Sequence, residues 1–145
     1  MFQGCTSLTT APALLATTLV KYCYANMFQG CTSLTSAPDL PATTLVDYCY
    51  SNMFQGCTSL TSAPDLPATT LVNYCYSNMF RGDTKLNSLR VGLSAFNNTN
   101  STINWLLGTS ATGTFYCPTT LGTNETITRG TNNCPTGWTV INTDA

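Results

Sequence analysis

The feature that most constrains this chain is a 26-residue sequence that occurs three times in direct succession. Residues 27–52 read MFQGCTSLTSAPDLPATTLVDYCYSN, and residues 53–78 repeat them with one change, Asp47 to Asn73. Residues 1–26 are a further copy, and a partial fourth copy begins at Met79. A fixed period of this length is the signature of a repeat array, in which each unit buries its apolar side chains against its neighbours.

Each repeat is predicted to contain one strand and one helix. The first half carries Pro38 and Pro41, which cannot lie inside a helix, so residues 33–40 are predicted to be a short extended segment. The second half, from residue 42 to about residue 55, has apolar side chains at helical spacing and Gly56 at the position of a C-cap. This spacing directs some side chains inward and others outward: Leu45, Tyr48, Cys49, Asn52 and Met53 inward, and Asp47, Tyr50 and Ser51 outward.

Units of this kind predict an α/β solenoid, a leucine-rich-repeat array of strand–turn–helix units. The units are residues 1–26, 27–52, 53–78 and, in part, 79–93. Residues 94–145 lack the repeat and are predicted to form a small β-rich C-terminal cap, with strands at 113–117 and 137–141. The residues predicted to pack this cap are aromatic: Trp105, Phe115, Tyr116 and Trp138.

The spacing within the repeat is C-x-x-L-x-x-A-P-x-L-P-x-x-x-L-x-x-Y-C-Y-x-x-M-F-x-x-C over residues 1–93. It resembles the BspA-like bacterial leucine-rich repeats, whose pattern is C-x-x-L-x-x-I-x-L-P, a short helical stretch, then A-F-x-x-C. Ala37 and Met53 depart from that pattern. What the resemblance implies is an extracellular or cell-surface protein of host-associated bacteria that functions in adhesion to host proteins or other cells.

The eight cysteines fall into two groups. Six occupy two repeat positions without the spacing of a zinc site, and they are predicted to be reduced core residues: Cys5, Cys31, Cys57, Cys23, Cys49 and Cys75. Cys117 and Cys134 lie outside the repeats and flank a loop rich in Thr, Asn and Gly. They are predicted to form a disulfide, which would stabilise the fold by about 3 kcal/mol and fit an oxidising compartment.

Two stripes of side chains are candidate binding surfaces. The helical phase places Tyr24, Tyr50 and Tyr76 at the edge of the outer face, where tyrosine is suited to protein contacts; the alternative is that these rings pack over neighbouring repeats. A second stripe along the strands could hydrogen-bond a glycan or a peptide, and the alternative for it is a solvated strand face. Its members are Thr9, Thr35, Thr61, Asp39 and Asp65.

One tripeptide matches a known recognition motif. Arg81-Gly82-Asp83 spells the sequence that integrins recognise, but it stands where the other repeats have Gln-Gly-Cys. The alternative is a diverged repeat turn in which Asp83 replaces a buried cysteine.

Composition narrows the function classes. Only 8% of the 145 residues are charged and the net charge is −1, which disfavours nucleic acid as a partner. The chain has no histidine and no apolar run long enough to span a membrane, so we predict neither an enzyme nor a cofactor, metal or membrane insertion.

The sequence therefore predicts a non-enzymatic, secreted or surface repeat protein that binds a protein or glycan on a host or neighbouring cell. The alternative is a structural subunit whose uncapped N-terminal repeat stacks head to tail in an extracellular filament, phage fibre or surface appendage. Met1 is the repeat residue equivalent to Met27, so we expect the chain to be a mature product or a fragment of a longer array.

Overall fold

The computed structural model describes residues 1–98 and 100–144. In these residues it contains no helix and three strands: β1 (Ser88–Arg90), β2 (Gly113–Cys117) and β3 (Trp138–Asn142). The prediction of an α/β solenoid of strand–turn–helix units, and with it a leucine-rich-repeat array, is therefore wrong. Most of each segment predicted to be helical is a continuous turn, at residues 21–30, 47–56 and 73–82, and a fourth turn of the same kind lies at residues 100–108. We call these four the turn segments.

Two sets of backbone hydrogen bonds alternate along each turn segment. One set stays within the repeat and reaches back three residues, as from the Met53 N–H to the Tyr50 oxygen at 3.2 Å. The other set joins successive repeats, as from the Tyr50 N–H to the Cys75 oxygen at 3.1 Å. The two sets together give the backbone N–H groups hydrogen-bond partners without a helix, because each N–H that has no acceptor within its own repeat donates to a carbonyl oxygen of the next repeat.

The reason that no helix forms is a left-handed residue at every fourth position of the turn segments. In the second repeat these residues are Tyr48 (φ 61°), Asn52 (φ 55°) and Gly56 (φ 76°), and the first and third repeats have positive φ at the same positions. An α-helix requires negative φ throughout. Asn and Gly adopt the left-handed region at low cost, so the repeat sequence favours this turn backbone.

The three strands form a parallel sheet in the order β1-β2-β3. Leu89 pairs with Phe115, and Phe115 pairs with Val140. In the first three repeats the predicted extended segments are reduced to isolated parallel bridges, such as Thr10 with Ser36. Pro38 and Pro41 have no N–H to give to a ladder, and this limits pairing there.

Equivalent side chains form columns through the repeats. The Phe28 and Phe54 rings are nearly parallel with centroids 5.5 Å apart, and Phe2 and Phe80 extend this column at 5.5 and 5.7 Å. Four repeat cysteines are buried free thiols, as predicted: Cys31, Cys49, Cys57 and Cys75. Their counterparts in the first repeat are free but exposed: Cys5 and Cys23.

The backbone ladder continues past residue 93, where the sequence repeat ends. The Phe80 N–H donates to the Trp105 oxygen at 2.9 Å, and the Trp105 ring lies 6.0 Å from that of Tyr76. The ladder ends at Asn132. Its Oδ1 accepts the Asn104 N–H at 2.8 Å, where a carbonyl oxygen of the next repeat accepts the equivalent N–H earlier in the array.

The aromatic residues predicted to pack this region do so in most cases. Trp105, Phe115 and Trp138 are buried, and Tyr116 is half-buried beneath the Arg90 guanidinium, 4.7 Å from the ring centroid. The strand predicted at 113–117 is β2, and the strand predicted at 137–141 is β3, which begins and ends one residue later.

Candidate binding groove

The tyrosine stripe predicted from helical phase is buried. Tyr50 and Tyr76 are each 1% exposed and Tyr24 is half-buried, so the prediction that they form an outer contact surface is wrong. Their rings stack at 6.0 Å in one column that ends on Trp105. The alternative, that these rings pack over neighbouring repeats, is what the structure contains.

The tyrosines that reach the surface are those two positions earlier. Tyr22 is 53% exposed, and Tyr48 and Tyr74 are half-buried. Their rings stack at 4.6 and 4.8 Å, closer than those of the buried column. Sequence reasoning missed this outer column because the assumed helix turned Tyr48 inward. The signal that identifies it is the four-residue spacing of Tyr48, Asn52 and Gly56, which marks left-handed positions.

Four of the five residues of the second predicted stripe come together, and Thr9 lies outside their groove. Thr35, Asp39, Thr61 and Asp65 line one groove with a volume of about 360 Å³, together with Ser36, Ala37, Ser62, Ala63 and Pro64. All four predicted residues are exposed, and equivalent residues lie one repeat apart. We call this feature the polar groove.

The polar groove continues along the array. An adjoining hollow of about 270 Å³ shares Asp39 and Asp65 and adds Leu40, Pro41 and Pro67. A third hollow of about 190 Å³ shares Asp65 and Pro67 and reaches Arg90 and Thr143. The surface thus offers hydroxyl groups, two carboxylates and one guanidinium along one side of the array, a set of groups suited to hydrogen-bonding an extended polar ligand.

The backbone beneath the groove is held by the bonds between repeats. The Thr35 N–H donates to the Thr9 oxygen at 3.1 Å, and the Thr35 hydroxyl donates to the same oxygen at 3.3 Å. Thr9 therefore supports the groove from the neighbouring repeat. The carboxylates of Asp39 and Asp65 have no hydrogen bond or ion pair within the described residues and remain open to a ligand.

The predicted disulfide is not formed. Cys117 and Cys134 are both buried free thiols. Burial raises the pKa of each to about 11, the Asp144 charge adding to the shift at Cys117 and the Arg129 guanidinium opposing it at Cys134. Neither thiol is therefore an activated nucleophile at neutral pH.

The loop that the disulfide was predicted to fasten is held by Arg129 instead. Its guanidinium donates to the backbone oxygens of Asn124, Pro135 and Trp138 at 3.1, 3.1 and 2.6 Å, and to the Asn124 side chain at 3.0 Å. The same Asn124 oxygen accepts the Val140 N–H at 3.0 Å. One planar cation thus ties the loop to β3.

The integrin-type tripeptide is not displayed. Arg81 is exposed, but Asp83 is 0% exposed and its Oδ1 accepts the Cys57 N–H at 2.8 Å. A recognition motif must present its carboxylate to the partner. The alternative, a diverged repeat turn with Asp83 in a buried cysteine position, fits the structure.

Two further observations bear on function. Within residues 1–98 and 100–144 no three His, Cys, Asp or Glu side chains are grouped to hold a metal ion, and no helix there could cross a membrane. Comparison with protein-family models, with curated proteins and with solved structures found no match to this chain.

Proposed function

We propose that this protein is a non-enzymatic, secreted or surface-exposed binding protein whose ligand lies in the polar groove. The observation that carries the proposal is the convergence of Thr35, Thr61, Asp39 and Asp65 on a groove of about 360 Å³. The partner is a glycan or an extended protein segment on a host or neighbouring cell. Of the two, the lining favours a glycan, because hydroxyls and carboxylates together both donate to and accept from sugar hydroxyls.

Repetition supports this assignment. Asp39 and Asp65 are copies of one position in two successive repeats, so the groove presents the same groups twice along its length. A ligand with its own repeating units engages both copies at once, and linked contacts raise affinity beyond that of either contact alone. The near absence of net charge favours contact by directional hydrogen bonds over long-range steering.

A glycan array probed with the labelled protein tests the proposal. We expect binding to a subset of glycans, weakened about tenfold or more in the double variant Asp39→Asn/Asp65→Asn, because each position keeps an acceptor but loses the charge, and a charged hydrogen bond contributes about 1 kcal/mol more than a neutral one. The matched control is Thr44→Ala/Thr70→Ala, which changes two exposed repeat positions outside the groove.

One result would contradict the proposal, and another would change the kind of ligand. Unchanged glycan binding in the aspartate variant would remove the groove as the contact surface. If the protein binds no glycan but binds immobilised cell-surface proteins, and the aspartate variant weakens that binding, the ligand of the groove is a protein.

A further inference from the structure

The first repeat presents a face that in every later repeat is covered. We define this N-terminal face as the side of residues 1–26 that points away from the second repeat. Apolar side chains are exposed here, with Met1 94% and Val20 68% exposed, whereas their equivalents Met53 and Val46 are buried and half-buried. The thiols of Cys5 and Cys23 are exposed too. The equivalents of both thiols in the second and third repeats are 0% exposed.

The hydrogen bonds between repeats decide which backbone groups the N-terminal face exposes. In the described turn segments, each bond between repeats runs from an N–H of one repeat to a carbonyl oxygen of the next: Tyr24 to Cys49, Asn26 to Ser51, Phe28 to Met53 and Gly30 to Gln55. The corresponding oxygens of the first repeat have no backbone donor among the described residues: Met1, Gln3, Cys23 and Ala25. In the turn segment the N-terminal face is therefore a row of carbonyl acceptors, to which no backbone N–H of the described residues donates.

A complementary partner must supply N–H groups at the spacing of that row, aromatic rings for Phe2 and Tyr24 to stack on, and a left-handed turn backbone. The same contact is already formed within the chain: Phe2 lies 5.5 Å from Phe28, and Tyr24 lies 6.0 Å from Tyr50. We propose that the N-terminal face is a docking surface for one further coil of this 26-residue repeat, bound in the register that joins the first repeat to the second.

A second copy of the chain fits the face less well at either of its ends. Two N-terminal faces would place carbonyl oxygens against carbonyl oxygens, which leaves both rows unsatisfied. At the C-terminal end residues 132 and 133 already cover the array: Asn132 accepts the Asn104 N–H, Asn133 accepts the Trp105 Nε1–H at 2.9 Å, and Trp105 and Leu106 are buried. A repeat coil with free N–H groups matches the face where these ends do not.

The test joins one more copy of residues 27–52 to the N-terminus of the full chain and measures the alkylation of each cysteine by mass spectrometry. In the unfused protein we expect Cys5 and Cys23 to react fast, because both thiols are free and exposed. In the fusion we expect their rates to fall by about 100-fold, to those of the buried repeat thiols, because a buried thiol reacts only when the structure opens. The thermal midpoint should rise as well, since a repeat array gains one interface.

The control fusion carries the same 26 residues in scrambled order and should leave Cys5 and Cys23 reactive. Fast labelling of both thiols in the ordered fusion would overturn the proposal. A concentration-dependent increase in mass of the unfused protein, with protection of Cys5 and Cys23, would also overturn it and would assign the face to a second copy. The proposal does not depend on the polar groove, whose variants leave this face unchanged.

Discussion

Asp83 occupies a position that is cysteine in each of the three preceding repeats, and its carboxyl group is fully buried. Its Oδ1 accepts the Cys57 N–H, but its buried Oδ2 has no hydrogen-bond partner among the described residues. Burial raises the pKa of this carboxyl from 3.8 to about 9, and the backbone hydrogen bonds of Cys57 and Gly56 only partly oppose the shift. The group is therefore held in its neutral form at neutral pH.

The raised pKa predicts that stability falls with increasing pH. The folded state holds the Asp83 proton more tightly than the unfolded state, so this contribution is fully present below about pH 4 and is lost as the pH rises toward about 9. We expect the free energy of unfolding, measured by chemical denaturation, to decline between pH 5 and pH 8 in the native chain. Asp83→Asn removes the titration and keeps the acceptor for Cys57, so its decline should be smaller.

Asp83→Cys is the companion variant, because it restores the residue of the other repeats. It should lose the same part of the pH dependence and raise the free energy of unfolding at neutral pH by about 1 kcal/mol or more, since it removes an unsatisfied buried oxygen. Equal pH dependence in all three proteins would show that Asp83 does not titrate with the raised pKa.

At the scale of one element, the spacing of buried side chains in the turn segments explains why a helix was predicted there. Buried side chains come in pairs four residues apart, Cys49 with Tyr50 and Met53 with Phe54, followed by Cys57. Over so short a segment a period of four resembles the helical period of 3.6. The two differ in phase by about 80° between residues 49 and 57, since a helix advances about 100° per residue. In the turn backbone the adjacent Cys49 and Tyr50 are both buried, whereas the assumed helix placed Tyr50 outward.

What could be predicted from the sequence is what depends on repetition or alternation alone. Four features follow from it: the period, the side-chain columns, the strands near residues 113–117 and 137–141, and the convergence of Thr35, Thr61, Asp39 and Asp65. The turn backbone could not be predicted from apolar spacing, because it depends on φ at Asn52 and Gly56. The role of Arg129 depends on distant backbone oxygens and leaves no local pattern.

Substitutions at Asn52 distinguish a turn from a helix. In a helix, Asn52→Ala stabilises and Asn52→Gly destabilises, because alanine is the best helix former and glycine is about 1 kcal/mol worse. In the left-handed conformation observed here, at φ 55°, the order is reversed: Asn52→Ala should lose roughly 1–2 kcal/mol and Asn52→Gly should lose much less. Equilibrium unfolding in urea measures both, and a more stable alanine variant would contradict the turn assignment.

At the scale of the whole molecule, the two ends of the array differ. The N-terminal face leaves its acceptors open, whereas the C-terminal end is closed by residues 131–134. The loop that contains this closure depends on Arg129, which joins Asn124, Pro135 and Trp138. The loop buries Leu121 and Ile127, and the Arg129 guanidinium joins three of its backbone or strand oxygens through one side chain, beside the bond from the Asn142 amide to the Gly122 oxygen.

Arg129→Lys tests whether this one side chain holds the C-terminal closure. Lysine keeps the charge but cannot reach several carbonyl oxygens with one planar group, so we expect a loss of roughly 2 kcal/mol in the free energy of unfolding. Because Arg129 Nη1 lies 3.2 Å from the Cys134 sulfur, the Cys134 thiol should also become faster to alkylate, while Cys57 in the repeats stays protected. Parallel exposure of both thiols would indicate global unfolding, and protection of both, with unchanged stability, would show that the loop is held by other contacts. Selective exposure of Cys134 is the result expected if the closure can open while the repeats stay folded, since stability in stacked repeats is divided among neighbouring contacts.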